Sequence, residues 1–378
     1  MDEQPAGGVP RDSEAPAVRV VVDAMGSDHG PAEVVPGALA FAARHPRDRV
    51  LIVGDAARIE PLLRSRPALN VEVVHASQVV EMTDQPALAM REKRDASILV
   101  AMDIVRRGDA DAVVTAGHTG AGMAAAVLRL GRLKGVDRPA LAVQVVAGER
   151  PFVLLDIGAN PDSTPENLTQ FARMGAIFAE RVVGVAQPRV ALLSIGEEKG
   201  KGDLRIQRAT ELLDASGLRF VGNVEGKDLV SDLADVVVTD AVTGNVVIKF
   251  YEGLSTFIFD LWRAEFRRGI RGRLAYLLLR SGIGRIRNVF DYETAGGSPL
   301  LGVKGSVVIT HGRAKRRMVG FACAVAADTA RTGVPQLIAD ALREDADRLA
   351  AASPALAVAR PDPEVSLEPA AADPGARA

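Results

Sequence analysis

Residues 111–123 read DAVVTAGHTGAGM. Asp111–Thr115 is a short β-branched run. It passes straight into the small residues Ala116-Gly117-His118-Thr119-Gly120-Ala121-Gly122 and then into an Ala-rich helical stretch. A strand that ends in small residues and feeds a helix is the unit from which α/β sheets are built. Glycine at such a junction lets the backbone approach closely, and the N–H groups opening a helix can hold an anion.

The same unit recurs on both sides. Short apolar runs at Val18–Asp23, Arg49–Gly54, Val71–His75, Leu141–Val146, Phe152–Asp156, Arg189–Ser194, Asp235–Thr239 and Ser306–Thr310 read as further strands. Most are apolar throughout rather than alternating, as expected of parallel strands buried on both faces. Helical periodicity falls between them at 32–44, 96–107, 120–133, 164–181 and 203–216. The alternation predicts an α/β fold with helices on both sides of a mostly parallel sheet. Ligands bind such sheets beyond the carboxyl ends of the strands.

Five strand ends carry unusual loops: 23–31 (DAMGSDHGP), 115–122, 158–162 (GANPD), 196–202 (GEEKGKG) and 240–245 (DAVTGN). Each sets Gly beside Asp, Asn, Thr or Lys, and together they predict a shared anion-holding site. Dinucleotide and Walker-type phosphate fingerprints are absent. So is a G-x-S-x-G elbow. The single cysteine, Cys323, lies in the apolar run GFACAVAADTA and reads as a buried structural thiol. His29, His118 and His311 sit in Gly-flanked loops without a metal-ligand spacing, so neither metal nor cofactor is expected. An anion cradle without a protein nucleophile suggests that the anion is itself the nucleophile.

The 378-residue chain is 48% hydrophobic, 25% charged and 4% aromatic, with a formal net charge of −2. It has ordinary globular composition and an aliphatic core, and its charge gives no support for nucleic-acid binding. One cysteine rules out an intrachain disulfide and a Cys-rich metal site. The acidic start has no apolar signal core, and no apolar run is long enough to span a bilayer. A cytoplasmic location is expected. Residues 1–17 and 351–378 are rich in Pro, Ala, Gly and charge and are expected to be disordered tails. Residues 18–350 are expected to form one catalytic domain.

One segment stands apart. Residues 254–288 read LSTFIFDLWRAEFRRGIRGRLAYLLLRSGIGRIRN. Arginines are interleaved with an apolar stripe, the pattern of a basic amphipathic helix. Gly269, Gly272, Gly282 and Gly284 are expected to break it into a hairpin. Trp262, Arg267, Arg268, Arg271 and Arg273 are its candidate contacts with an anionic membrane surface or an acidic partner. A dimer-interface helix pair is the alternative.

Taken together, VVVDAMGSDHGP (20–31), MTDQPALAMREKRDAS (82–97), TAGHTGAGMAAAVLRLGRLKGVDRPALA (115–142), LLDIGANPDSTPENLTQFARMG (154–175), LLSIGEEKGKG (192–202), FVGNVEGKDL (220–229), DVVVTDAVTGNVVIKFYEG (235–253) and the LLGVKG…THG pair near 300–312 resemble the bacterial phosphate acyltransferases of phospholipid synthesis. The resemblance spans about residues 18–330. The chain departs from the family's usual residues at Ser27, His118, Ser194 and Ala241-Val242. The resemblance implies a Rossmann-like α/β/α fold related to isocitrate and isopropylmalate dehydrogenases and phosphate acetyltransferases. It also implies transfer of a long-chain acyl group from acyl carrier protein to inorganic phosphate. The acyl phosphate formed would go to a membrane glycerol-3-phosphate acyltransferase. A homodimer peripherally associated with the membrane is implied too.

On this reading Lys201, His118, Asn160 and Asn245 are the candidate catalytic residues. Asp23, Gly26, Asp28, Gly30, Lys93, Gly117, Thr119, Gly120, Asp156, Gly158, Glu198, Asn223, Glu225, Asp240, Thr243, Gly244, Lys249 and His311 are candidates for substrate binding. Competing readings are a short-chain phosphate acetyl- or butyryltransferase using a coenzyme A thioester, a dehydrogenase of related fold, and a non-catalytic membrane-surface scaffold. The dehydrogenase is disfavoured because no dinucleotide signature or metal-carboxylate cluster is evident.

Overall fold

The computed structural model describes residues 16–64, 68–146, 150–289 and 292–358. Eleven strands form one sheet: β1 (Arg19–Asp23), β2 (Arg49–Gly54), β3 (Val71–His75), β4 (Ala112–Gly117), β5 (Ala140–Val146), β6 (Pro151–Leu155), β7 (Val190–Leu193), β8 (Phe220–Val224), β9 (Val236–Val238), β10 (Ser298–Leu301) and β11 (Ser306–His311). The helices are α1 (Pro31–Arg44), α2 (Ala56–Arg64), α3 (Pro86–Glu92), α4 (Ser97–Arg106), α5 (Thr119–Arg129), α6 (Pro165–Phe178), α7 (Leu204–Asp214), α8 (Ala241–Phe266), α9 (Gly269–Val289), α10 (Arg316–Arg331) and α11 (Val334–Val358).

The strand order is β3-β2-β1-β4-β11-β10-β5-β6-β9-β7-β8. β3, β2, β1, β4 and β11 run parallel and make an N-terminal wing. β6, β9, β7 and β8 run parallel and make a C-terminal wing. Between them β10 pairs antiparallel with β11 and β5, and β5 antiparallel with β6. The wings therefore point in opposite directions. The sheet is thus mostly parallel, as expected, but its two parallel wings are antiparallel to one another. In the register, Ser298 pairs with Ile309, Leu300 with Leu141, and Ala142 with Leu155. Loops from both wings line one cavity over β5.

Strand alternation sorts the core. Val21, Val113, Ile309, Leu141, Val143, Leu154 and Val237 point to one face, where α3, α4 and α5 cover the N-terminal wing. Val20, Val22, Val114 and Val308 point the other way, under α1 and α10. Val153, Leu155, Leu192 and Val238 do the same under α6, α7 and α11. Nearly all of these side chains are fully buried, which at roughly 25 cal/mol per Å² is the main force holding the layers together.

Two strands escaped the sequence reading. β8 (FVGNV) is an edge strand with a glycine in it, and β10 (SPLL) is four residues with a proline, so neither shows a strand period. The hairpin also differs from expectation. α8 begins at Ala241, inside the candidate site, and runs 26 residues without interruption. Arg267 and Arg268 separate it from α9, which opens at Gly269 with φ 64°, whereas Gly272, Gly282 and Gly284 lie inside α9. α11 continues to Val358, past the start of the expected C-terminal tail, because LAAASPALAV is rich in alanine, the strongest helix former. The rest of both expected tails, 1–15 and 359–378, lies outside the described residues.

Candidate active site

A cavity of about 260 Å³ opens over the middle of the sheet. Its floor is apolar: Leu141, Val143 and Val145 of β5, with Ile309, Ile157 and Ile248. Polar groups reach it from four elements. Thr119 comes from the first turn of α5, Gly158 from the loop after β6, His311 from the end of β11, and Asn245, Lys249 and Glu252 from α8. The spacing 245, 249, 252 puts those three on one face of the helix. Thr294, Ser298 and Gln144 complete the polar lining. Of the sequence-predicted residues, the structure thus brings together Thr119, Gly158, Asn245, Lys249 and His311. The sequence reading missed Glu252, which its i, i+3 spacing from Lys249 could have signalled, and also Gln144, Thr294 and Ser298, which carry no local signal.

A small niche beside the cavity holds Asp23, Gly26, Ser97, Thr115, Gly117 and His118. Asp23 is 1% exposed and accepts hydrogen bonds from the Thr115 hydroxyl (2.9 Å) and the Met25 N–H (3.1 Å). Burial pushes its carboxyl above the usual carboxylate range. Gly117 must be a glycine, since a Cβ there would stand 2.6 Å from the Gly26 carbonyl oxygen; a Cβ at Gly26 would be a tight 3.1 Å from the Ala116 carbonyl oxygen. His118 caps α5, its Nδ1 accepting from the Ala121 N–H at 3.3 Å. With Nδ1 occupied as an acceptor, a neutral ring carries its proton on Nε2. Gly120 lies against that ring.

Across the cavity, Asp156 is fully buried. Its carboxylate accepts from the N–H groups of Leu141 (3.2 Å), Gly158 (3.1 Å), Ala159 (2.9 Å) and Asn160 (2.8 Å). The Asn160 side-chain amide adds a bond at 2.7 Å. Burial pushes this carboxyl upward, and the N–H donors oppose that shift. The other amide hydrogen of Asn160 goes to the Pro139 carbonyl at 2.7 Å. Both are spent on the scaffold. Asn160 therefore positions the 156–160 loop and has no amide hydrogen left for an oxyanion, contrary to the expectation from sequence. Gly244 lets α8 meet this loop, because a Cβ there would stand 2.0 Å from the Asp156 carbonyl oxygen.

Asp240 caps α8, accepting from the N–H groups of Val242 and Thr243 at 3.0 Å each. Its other oxygen accepts from the Thr243 hydroxyl (2.9 Å) and Arg205 (3.1 Å). Burial would raise its carboxyl, but these donors hold it below the ordinary range. Tyr251 braces the same helix, donating to the Val146 carbonyl at 2.6 Å, and burial raises its phenol.

The remaining predicted residues lie off the cavity. Lys93 is held by Asp84 and by the Val79 carbonyl, which tie it to the loop before α3. Gly30, with φ 57°, forms the N-terminal boundary of α1, and the exposed Asp28 contacts the 311–313 turn through its backbone. Lys201 is exposed on the 194–203 loop after β7. Asn223 secures that loop, donating to the Glu198 carbonyl at 3.4 Å and accepting from the Thr210 hydroxyl at 3.2 Å. Glu225 caps the short turn Gly226–Val230 and pairs with Lys227 at 2.9 Å. Cys323 is fully buried, its thiol pushed up to about 12, which removes it as a nucleophile.

A model of the family described as "fatty acid synthesis protein" matches residues 18–337. The chain belongs to that family. Relatives include a phosphate acyltransferase of Myxococcus xanthus, 47% identical over 322 residues, which cover 84% of this chain and 91% of the relative. Another, from Heliobacterium modesticaldum, is 44% identical over 330 residues, covering 86% of this chain and 97% of that one. The fold is shared with the EutD phosphotransacetylase of Staphylococcus aureus (TM-score 0.56, 17% identity, covering 83% of this chain and 94% of that chain). A branched-chain phosphotransacylase of Enterococcus faecalis also matches (TM-score 0.52, 16% identity, covering 82% and 98%). The chain is thus an acyltransferase on the phosphotransacylase fold, as the sequence resemblance implies.

Proposed function

We propose that the central cavity transfers a long-chain acyl group from acyl carrier protein to inorganic phosphate. The observation that carries this reading is the composition of the site: one ammonium, Lys249, a histidine, His311, an amide, Asn245, and the amino end of α5 converge on an apolar floor. Among the described residues no serine or cysteine there is hydrogen-bonded to a base, so the acceptor supplies its own nucleophile. A phosphate oxygen attacks the thioester carbonyl, the C–O bond forms, and the C–S bond breaks with departure of a thiolate that takes up a proton. Holding phosphate in line with the carbonyl supplies roughly 7–11 kcal/mol of orientation. Thr119, the α5 N–H groups and Asn245 are placed to donate to the developing oxyanion. His118, with its proton on Nε2, is a donor at the edge of the site.

The product is an acyl phosphate. Its consumer is a membrane enzyme that acylates glycerol 3-phosphate. The exposed stripe Val242, Val246, Phe250, Leu254, Phe257 and Leu261 along α8 supports a homodimer interface. The exposed apolar and arginine-rich end of the hairpin, with Trp262, Arg267 and Arg273 along its groove and Arg268 and Arg271 beside it, supports peripheral attachment to an anionic membrane. Among the described residues no helix is long and apolar enough to cross one.

The test is phosphate-dependent turnover of palmitoyl-carrier protein, palmitoyl-coenzyme A and acetyl-coenzyme A, with acyl phosphate trapped by hydroxylamine. Turnover of acetyl-coenzyme A alone assigns the chain to short-chain transfer instead. Lys249→Ala is expected to lower kcat/KM about a hundredfold without unfolding the protein. Lys201→Ala is expected to act in the same direction but less, about tenfold, because the ammonium lies on a neighbouring loop and not in the cavity wall.

A further inference from the structure

The cavity's mouth has a basic rim that the mechanism does not use. β11 ends at His311, and the next residues read Gly312-Arg313-Ala314-Lys315-Arg316-Arg317 before Met318. His311 and Met318 both line the cavity, so this turn forms its edge. Arg313, Lys315 and Arg316 are exposed. The segment opens α10, whose first turn has no acidic residue. Cations at the amino end of a helix oppose its dipole. The fold alone gives no reason to gather them there.

Two of the charges are answered locally. Arg316 is bound by Glu33 of α1 at 2.6 and 3.0 Å, and Arg317 by Glu293 at 3.5 Å. Asp28 also touches the turn, its carboxylate 3.1 Å from where a Cβ of Gly312 would stand. Arg313 and Lys315 have no ion-pair partner among the described residues. The hairpin is different. There Arg263 and Arg268 pair with nearby Asp260 and Glu265, while Arg267, Arg271 and Arg273 are exposed along the hairpin, away from the cavity's lining.

From this placement we infer that the basic rim formed by Arg313 and Lys315 at the start of α10 docks the acidic carrier protein that delivers the thioester. The inference rests on the acyl-carrier reading above and separates two duties that the sequence put on the hairpin alone. The rim receives the acidic donor protein, and its thioester arm enters past His311. The hairpin serves the membrane and the partner subunit. Rim charges of this kind chiefly raise the association rate and are weakened by salt.

The experiment uses the full-length chain and three proteins: wild type, Arg313→Glu/Lys315→Glu, and Arg271→Glu/Arg273→Glu. Each is assayed with palmitoyl-carrier protein and with palmitoyl-pantetheine, which has the same thioester but no protein. Thermal melts check that all three fold. For the rim variant the expected result is a KM for palmitoyl-carrier protein raised about tenfold, with kcat held and the pantetheine donor unaffected. The wild-type KM should rise with salt more steeply than that of the rim variant. An unchanged carrier-protein KM in the rim variant, or equal losses with both donors, overturns the inference. So does a rise confined to the hairpin variant. If wild type turns over palmitoyl-pantetheine but not the carrier-protein donor, the acyl-carrier reading fails first, whatever the variants do.

Discussion

In the N-terminal wing, Asp23 at the end of β1 is held by two hydroxyls, those of Thr115 and Ser97, and by the N–H groups of Met25 and Gly26. In the C-terminal wing, Asp156 at the end of β6 faces only N–H donors, four from the backbone and one from Asn160. Both carboxyls are buried beside a glycine contact that brings two chain segments together, Gly26 on Gly117 and Gly244 on the Asp156 carbonyl. The chemistry of the donors separates them. A hydroxyl can reverse and become an acceptor, so the Asp23 niche tolerates a changed partner. An N–H cannot, so the Asp156 loop demands an acceptor with both oxygens bare. The C-terminal wing is therefore the more exacting half of the site.

The largest effect should come from closing the tighter glycine contact. Gly244→Ala places a methyl where only 2.0 Å is free. The loss is expected to be roughly 3 kcal/mol of stability, outweighing alanine's better helix propensity, with turnover lost as α8 moves off the 156–160 loop. Gly117→Ala, with 2.6 Å available, should do the same to a smaller extent. Denaturant melts and turnover of both variants compare the wings directly. If Gly117→Ala proves the more damaging, the N-terminal wing is the stricter one.

Exchanging the carboxylates comes next. Asp156→Asn turns an amide NH₂ toward N–H donors and should cost about 2 kcal/mol, whereas Asp23→Asn should cost less than about 1 kcal/mol because the Thr115 hydroxyl can reverse. Equal losses in urea melts would erase the distinction.

The smallest effect concerns the pair that fastens α1 to α10 in the N-terminal wing. Hydrogen bonds from Arg316, side chain and backbone, hold the Glu33 carboxyl down at about 2. A depressed carboxyl stabilises the fold above its unfolded value, and that contribution fades as pH falls from about 4.5 toward 2. Glu33→Gln should thus cost no more than about 1 kcal/mol at pH 7, since the pair is exposed. The difference from wild type should vanish only below about pH 2. A stability gap that persists there would mean that Glu33 acts through packing and not through charge.

Much of this was legible in the residues. Nine of the eleven strands were readable as apolar runs bounded by turn residues, because a strand buried on both faces leaves that local trace. The stretches carrying Asp23, Asp156, Gly244 and Asn245 were readable too, since strained turns and helix caps restrict residue type within a few positions. β8 and β10 were not, being an edge strand and a four-residue strand with proline.

The sequence by itself determined the α/β class, the loops rich in Gly, Asp and Asn, and the lack of a G-x-S-x-G elbow. Those depend on short-range sterics and on residue chemistry. Only the tertiary structure decided that the two wings run in opposite directions and meet across β10 and β5. It alone placed Lys249 in the cavity and Lys201 outside it, consumed Asn160 in the scaffold, and set the basic start of α10 at the cavity's mouth. Those outcomes depend on strand pairing between residues more than a hundred positions apart, such as Leu141 with Leu300, and no local pattern records such a register.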